Sequence, residues 1–276
     1  MRVALLQITS TDQPAENLDM VRRMLREAAA RSVDFVLTPE VTNCISSDRT
    51  HQQAVLRTEE EDETLPALRA EAAQAGIWLL IGSLALKTGD ADGRFANRSF
   101  LIGPDGSVVA RYDKIHMFDV TVSETEQYRE SAGYCPGDHA VLAETPFARI
   151  GMTVCYDVRF PHLYRRLAQA GAQVLTVPAA FNDTTGAAHW EVLLRARAIE
   201  TGCWVLAPAQ CGSHADHGGR PRRTHGHSLV VAPWGEVVAD GGAAPGIVEA
   251  VIDLAQVDRA RARVPSLSHD RPFDNP

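Results

Sequence analysis

Three residue types that together suffice for acyl transfer stand at the ends of apolar runs in this chain. Cys155 closes Ala148-Arg-Ile-Gly-Met-Thr-Val-Cys155 and is followed at once by the polar string Tyr156-Asp157-Val158-Arg159. A thiol placed where a core strand stops and a turn starts is held from behind and open in front, unlike cysteines that merely fill space within an element. Glu40 ends Phe35-Val-Leu-Thr-Pro-Glu40, directly after a proline that restricts the backbone. Lys114 follows a returning strand, in Arg111-Tyr-Asp-Lys114-Ile-His116. A carboxylate takes the thiol proton, and an ammonium steadies first the thiolate and then an oxyanion, so no histidine is required. Taken singly, Glu40 reads equally as a cap after a strand and Lys114 as a solvated lysine. Their common placement joins them, because ligands of layered α/β folds bind at the carboxyl ends of strands, where residues distant in sequence converge.

The elements that must position these residues recur in two halves. In the first, a strand over 3–8 precedes an amphipathic helix over 15–31, with Leu18, Val21, Met24, Leu25 and Ala28 at helical spacing. A strand over 34–40 follows, then a helix–strand unit over 65–85. A hairpin pairs 99–103 with 107–111 around Pro104-Asp105-Gly106. The second half repeats the order: a strand ending at Cys155, a helix over 162–171, and a strand over 173–178. A helix over 189–201, a strand from Trp204 and a hairpin around Pro233-Trp234-Gly235 complete it. Both hairpins have the form apolar run, Pro-x-Gly, x-Val-Val-Ala. Two such units predict two sheets packed on each other with helices outside, a four-layer αββα sandwich. From residue 255 onward a short basic helix and an extended tail predict a surface-lying or dimer-contacting arm.

Composition narrows the function classes. The chain has 276 residues, 45% hydrophobic and 22% charged, which fits one large globular domain. A net charge of −8 gives no support to nucleic-acid or anionic-membrane binding. No apolar run reaches the length of a membrane span, and the N-terminal run has no signal-peptide pattern. Five cysteines without a Cys-x-x-Cys pair argue against a disulfide framework and predict a reducing, cytoplasmic setting.

The motifs Leu37-Thr-Pro-Glu40, Tyr112-Asp-Lys114-Ile-His116, Gly151-Met-Thr-Val-Cys155-Tyr-Asp-Val-Arg159-Phe-Pro and Pro178-Ala-Ala-Phe181 occur in this order. In them the chain resembles the nitrilase superfamily of carbon–nitrogen hydrolases, and the resemblance runs from Val3 to about Asp253. It implies an αββα sandwich of that type over 1–254 with an arm over 255–276, and Glu40, Lys114 and Cys155 as catalytic residues. It further implies Glu130 as an additional active-site glutamate and the backbone N–H of Tyr156 as an oxyanion donor. The elbow Cys155-Tyr-Asp resembles the amidase branches. Within them, His189-Trp-Glu-Val-Leu-Leu-Arg-Ala-Arg-Ala-Ile-Glu-Thr201, Ala209-Gln-Cys-Gly212 and Gly226-His-Ser resemble deaminated-glutathione amidases, whereas Asn182 and Thr184-Thr185-Gly186 resemble ω-amidases. The resemblance thus implies an amidase for a small carboxylate-bearing amide, with deaminated glutathione as the leading substrate. Hydrolysis of 2-oxoglutaramate-like amides or of N-carbamoyl amino acids stands as the alternative. Val41-Thr-Asn-Cys-Ile-Ser-Ser-Asp-Arg49, just after Glu40, matches neither pattern closely.

Four residues are candidates for reading the substrate: Tyr156, Arg159, Phe181 and His116. Arg159 has the guanidinium that pairs bidentately with a carboxylate, although an ion pair with Asp157 or with a dimer partner accounts for it equally. His116 stands two residues past Lys114 and reads as well as a hydrogen-bonded structural histidine. Cys211, His214, His217, His225 and His227 gather in sequence without the paired spacing of a zinc site, and 218–223 reads as a mobile loop. No step of the chemistry requires a metal or cofactor, so none is expected. The 189–201 helix carries apolar residues around much of its circumference, which predicts burial on two sides and a homodimer or larger assembly.

Overall fold

In a computed structural model, residues 1–124, 126–215 and 222–274 are described. The first half contains β1 (Arg2–Gln7), α1 (Pro14–Ala30), β2 (Phe35–Leu37), α2 (Arg49–Val55), α3 (Thr64–Ala75), β3 (Trp78–Lys87), β4 (Phe95–Ile102) and β5 (Val108–Asp113). A small hairpin of β6 (Asp119–Thr121) and β7 (Gln127–Arg129) follows it. The second half contains β8 (Val141–Glu144), β9 (Arg149–Met152), α4 (Pro161–Gln169), β10 (Val174–Thr176), α5 (Asp183–Thr201) and β11 (Trp204–Ala207). A second small hairpin of β12 (Cys211–His214) and β13 (Arg222–His225) precedes β14 (Leu229–Val231), β15 (Val237–Asp240), β16 (Gly246–Val251) and α6 (Ala255–Arg263).

Two six-stranded sheets form the centre, in the orders β16-β1-β2-β3-β4-β5 and β15-β14-β11-β10-β9-β8. Alternation along β1 dictates the layering. Val3 and Leu5 face the core shared between the sheets, with Phe35, Met152, Val174 and Leu206, whereas Ala4 and Leu6 join Val21, Leu25 and Leu68 under α1 and α3. On the far side Leu163, Leu167, Trp190 and Leu194 of α4 and α5 complete the αββα sandwich. The halves correspond strand for strand in pairing sense: β1-β2-β3 and β9-β10-β11 are parallel runs, each continued by an antiparallel hairpin.

Several expectations change. Each sheet has a sixth strand absent from the repeat: β8 lies antiparallel to β9, and β16 antiparallel to β1. Neither belongs to a recurring helix–strand unit, so periodicity does not reveal them. The strand expected over 34–40 stops at Leu37, because Pro39 offers no N–H to the ladder. The helix expected from His189 starts at Asp183. Asn182 caps it by accepting from Thr185 N at 3.0 Å. Gly186 lets it pass His225, where an added Cβ would come within 2.4 Å. The C-terminal arm lies on its own chain: Arg261 donates to the carbonyls of Ala172 (2.6 Å) and Thr201 (3.1 Å), and Gln169 donates to the carbonyl of Leu267 (3.1 Å). Among the described residues, no helix is long and apolar enough to cross a membrane.

The sheets approach closely beside the segment that leads to Glu40. A Cβ on Gly82, in β3, would lie 2.0 Å from the carbonyl oxygen of Thr38, 2.5 Å from that of Pro39 and 2.5 Å from Pro178 Cβ. No rotamer relieves a contact with backbone, so the chain must shift. Gly82→Ala is expected to destabilise by about 1–3 kcal/mol, read as a lowered urea midpoint at unchanged slope.

Candidate active site

Beyond β2 and β9 the chain continues on single hydrogen bonds into two strained turns. Thr38 N donates to the carbonyl of Leu80 at 2.9 Å, and Glu40 follows Pro39 just before Val41, whose φ is +45°. Thr153 N donates to the carbonyl of Thr176 (3.2 Å) and Cys155 N to that of Pro178 (2.9 Å). Cys155 is not the last strand residue; it opens a 3₁₀ turn (Cys155–Arg159) with a φ of +47°. A left-handed backbone at valine and at cysteine is uncommon, and such strain persists where surrounding contacts enforce it. Those contacts bring the two turns together from different sheets.

Lys114 lies between them, 2% exposed. Its Nζ donates to Glu40 Oε1 at 2.8 Å and to both oxygens of Glu130 at 2.8 Å. Asn97 Nδ2 donates to Glu40 Oε1 (2.9 Å) and Glu130 Oε1 (3.3 Å), Ala180 N to Glu40 Oε2 (2.8 Å), and Phe118 N to Glu130 Oε2 (2.6 Å). The Cys155 thiol lies close enough to Glu40 for each to shift the other's protonation. All four side chains line one cavity of about 790 Å³, with Phe118, Tyr128, Tyr156, Phe181 and Arg222 on its walls.

The electrostatics assign a resting state. Burial pushes Glu40 upward, but the Lys114 ammonium and its hydrogen bond hold the carboxyl below its usual value. Burial opposes the charge on Lys114, yet Glu130 and Glu40 together keep its pKa well above normal. Burial and the neighbouring Glu40 charge push the Cys155 thiol well up. The pocket therefore rests as carboxylate, ammonium and neutral thiol. Such a thiol becomes a nucleophile as its proton moves to the adjacent carboxylate, rather than by standing ionised.

The turn carrying Cys155 is fixed by Asp157, which is fully buried. Its Oδ2 accepts from Val154 N (2.8 Å) and from the Tyr112 hydroxyl (2.6 Å); its Oδ1 accepts from His116 N (3.0 Å) and is paired with His116 Nδ1 (2.7 Å). One carboxylate thus clamps the nucleophile turn to the strand and loop on either side of Lys114.

The family model described as carbon-nitrogen hydrolase matches residues 2–262. The chain belongs to the carbon–nitrogen hydrolase family. It is 37% identical over 270 residues to the deaminated glutathione amidase of Yersinia enterocolitica, covering 98% of this chain and 92% of that one. It is 40% identical over 273 residues to the human protein of the same name, covering 98% and 82%. Among solved structures, the NitFhit protein of C. elegans matches with a TM-score of 0.89 and 36% identity, over 98% of this chain and 65% of that longer chain. A glutamate-to-glutamine mutant of the amidase from Nesterenkonia sp. AN1, in which acrylamide has added to the active-site cysteine, matches with a TM-score of 0.77 and 27% identity, over 96% and 98%.

Within this carbon–nitrogen hydrolase the residues expected to read the substrate divide. Tyr156 and Phe181 line the cavity. His116 does not; it is clamped by Asp157 and stacked on Phe160 at 3.5 Å between ring centroids, which corrects its expected contact with substrate. Arg159 is also absent from the lining: its guanidinium lies 5.3 Å from the Phe181 ring and both Nη atoms stand 3.3 Å from His189 Nδ1. Asp157, occupied by Val154, Tyr112 and His116, forms no ion pair with it. Sequence reading missed Asn97, the first of three polar residues in the middle of β4, and Arg222, which stood in a segment read as a loop. The histidines and cysteine considered for zinc are engaged separately. His214 sits between Ser10 O (2.8 Å) and Thr224 Oγ1 (2.7 Å), with burial holding its pKa down to about 4. Cys211 contacts Thr9, His225 and His227 stack on each other, and His227 reaches Asp240; His217 and residues 218–221 lie outside the described residues.

The neutral thiol gives a direct test. The thiolate absorbance of the wild type, with that of Cys155→Ala subtracted, is expected to show no step below the ordinary thiol value of 9.0. A step near neutrality would mean a standing thiolate and a different activation.

Proposed function

We propose that the chain is an amidase that cleaves deaminated glutathione, a γ-amide whose acyl group bears a 2-oxo carboxylate. The observation that carries this reading is the buried Glu40–Lys114–Glu130 cluster that shares one cavity with the Cys155 thiol. Sequence likeness to deaminated glutathione amidases over 98% of this chain supports the substrate.

Glu40 takes the Cys155 proton as sulfur attacks the amide carbonyl carbon. The negative charge that develops on oxygen is met by Lys114 Nζ and by the N–H of Tyr156, in the first turn of the 3₁₀ segment, where helical amides lack an acceptor within the turn. Protonated Glu40 returns the proton to the departing nitrogen, the C–N bond breaks, and a thioester remains on Cys155. Glu40 then removes a proton from water, hydroxide attacks the thioester carbonyl, and Cys155 leaves with that proton. Glu130 keeps Lys114 charged and in place, and its own hydrogen bonds to Phe118 N and Asn97 keep it from following substrate. The five free thiols fit a reducing, cytoplasmic setting.

Mass spectrometry of the protein quenched during turnover of deaminated glutathione is expected to find a 2-oxoglutaryl adduct on Cys155 and none in Cys155→Ala, which is inactive but folded. An adduct on another cysteine would overturn the assignment. The relative kcat/KM for deaminated glutathione and 2-oxoglutaramate decides between the two amidase branches, and the first is expected to be higher.

The same reading includes a homodimer. On α5, Trp190, Leu194 and Ala198 are buried, but Val192 and Ile199 are 67% and 56% exposed, and Trp234 is 44% exposed. Apolar side chains grouped on an outer helix mark a surface that a second copy covers. Light scattering is expected to give twice the 30.0 kDa chain mass, and Val192→Glu with Ile199→Glu is expected to give the monomer.

A further inference from the structure

Three arginines line the cavity, and they differ in what their donors already hold. Arg49 donates to the carbonyls of Gly133 (2.9 Å) and Gly93 and lies over the Phe95 ring at 4.0 Å. Arg129 donates through Nη1 to the carbonyls of Tyr128 (2.8 Å) and Val120 (3.2 Å). Arg222 donates through Nη2 to the carbonyl of Ala180 at 2.6 Å, but its Nε is buried with no acceptor among the described residues. Among the described residues no carboxylate pairs with it. Glu126, the acid on the same wall, is instead held by Asn182 Nδ2 and by the Tyr128 hydroxyl at 2.7 Å. Two other lining residues, Thr185 through its hydroxyl and Asn97 through Oδ1, also carry a buried polar atom without a partner among the described residues, and Thr185 is the one close in sequence to Asn182.

A buried donor on an unpaired cation is costly unless something satisfies it. The position of this one is informative. Ala180 bridges it to the reacting centre: its carbonyl accepts from Arg222, and its N–H donates to Glu40 Oε2 at 2.8 Å. The Arg222 charge is felt at Glu40. In a 2-oxoglutaryl group the carboxylate carbon stands four bonds from the amide carbonyl carbon, about 5 Å when extended, which suits a cation one peptide unit removed from the base.

Resting on the amidase reading above, we propose that Arg222 is the specificity residue of this site: its Nε–H and charge bind the carboxylate of the substrate's acyl group, with the Thr185 hydroxyl beside it. The role expected of Arg159 thereby passes to a residue on β13. Because the acyl group is recognised, the leaving amine can vary while the carboxylate cannot.

The experiment compares glutaramate with pentanamide, which has a methyl group in place of the carboxylate, on wild type, Arg222→Gln and Arg222→Lys. Arg222→Gln is expected to lower kcat/KM for glutaramate by about 10- to 100-fold, mainly through KM. Turnover of pentanamide falls only by the part of the loss that arises through Ala180 and Glu40, so the ratio of kcat/KM for glutaramate to that for pentanamide is expected to drop by about tenfold. Arg222→Lys is expected to recover part of the loss, since it restores charge without the planar donor. Equal losses on both substrates, or no loss on either, would overturn the proposal. A second measurement needs no turnover: 2-oxoglutarate is expected to protect Cys155 from iodoacetamide, read by intact mass, at a concentration roughly tenfold lower in wild type than in Arg222→Gln. Protection that is absent or indifferent to the substitution overturns the carboxylate site. Arg222-dependent protection in a protein that hydrolyses neither amide would support the site while overturning the amidase reading.

Discussion

A fully buried ammonium is the constraint from which the rest of the site follows. Removing Lys114 from water is tolerable only if its three donors meet acceptors and its charge meets opposite charge, and Glu40 with Glu130 supplies both. Breaking such a group by removing one partner is typically destabilising by about 3–5 kcal/mol, because the remaining charge is stranded. The two carboxylates in turn repel each other, and Asn97, Ala180 N and Phe118 N take up their remaining lone pairs. The arrangement leaves the Glu40 carboxylate beside a neutral thiol.

Holding this cluster together needs parts from both sheets, and the fold supplies them through local irregularities. Glu40 is aimed by a proline that ends β2 and by a valine with positive φ, while Cys155 is aimed by its own positive φ. Gly82 allows the sheets to meet where Thr38, Pro39 and Pro178 converge. Asp157 ties Val154 to Tyr112 and His116, so the nucleophile turn and the lysine loop move as one. Rigidity at this level matters because a misplacement of about 1 Å in an oriented site is felt strongly in rate.

The parts legible in the sequence are those that repeat or that break an apolar run. Period-2 and period-3.6 patterning exposes both halves and the layer order, since each element buries one face. Glu40, Lys114 and Cys155 are visible because each ends a strand-like run. What stays hidden depends on tertiary pairing. The strands β8 and β16 have no repeat partner. Asn97 is one of three consecutive polar residues in β4, and its meaning comes from the carboxylates opposite it. His116 and Arg159 lie close in sequence to site residues but point elsewhere, because proximity along a chain that turns sharply says little about side-chain direction. Arg222 is far from the motifs, and it is held at the cavity wall by a carbonyl 42 residues away.

The two sheets also differ in the span of chain that builds them. The second draws its strands from β8 through β15 alone, with β8 joined to β9 by a short turn. The first sheet waits for β16, and contacts at that seam join residues 251 positions apart, Met1 N to Ile252 O. Until β16 arrives, β1 presents an open edge of five consecutive buried positions, a template for unwanted pairing. The half that carries Glu40 and Lys114 therefore reaches its final form only after residue 251 has been made, although its other five strands are the first to be synthesised.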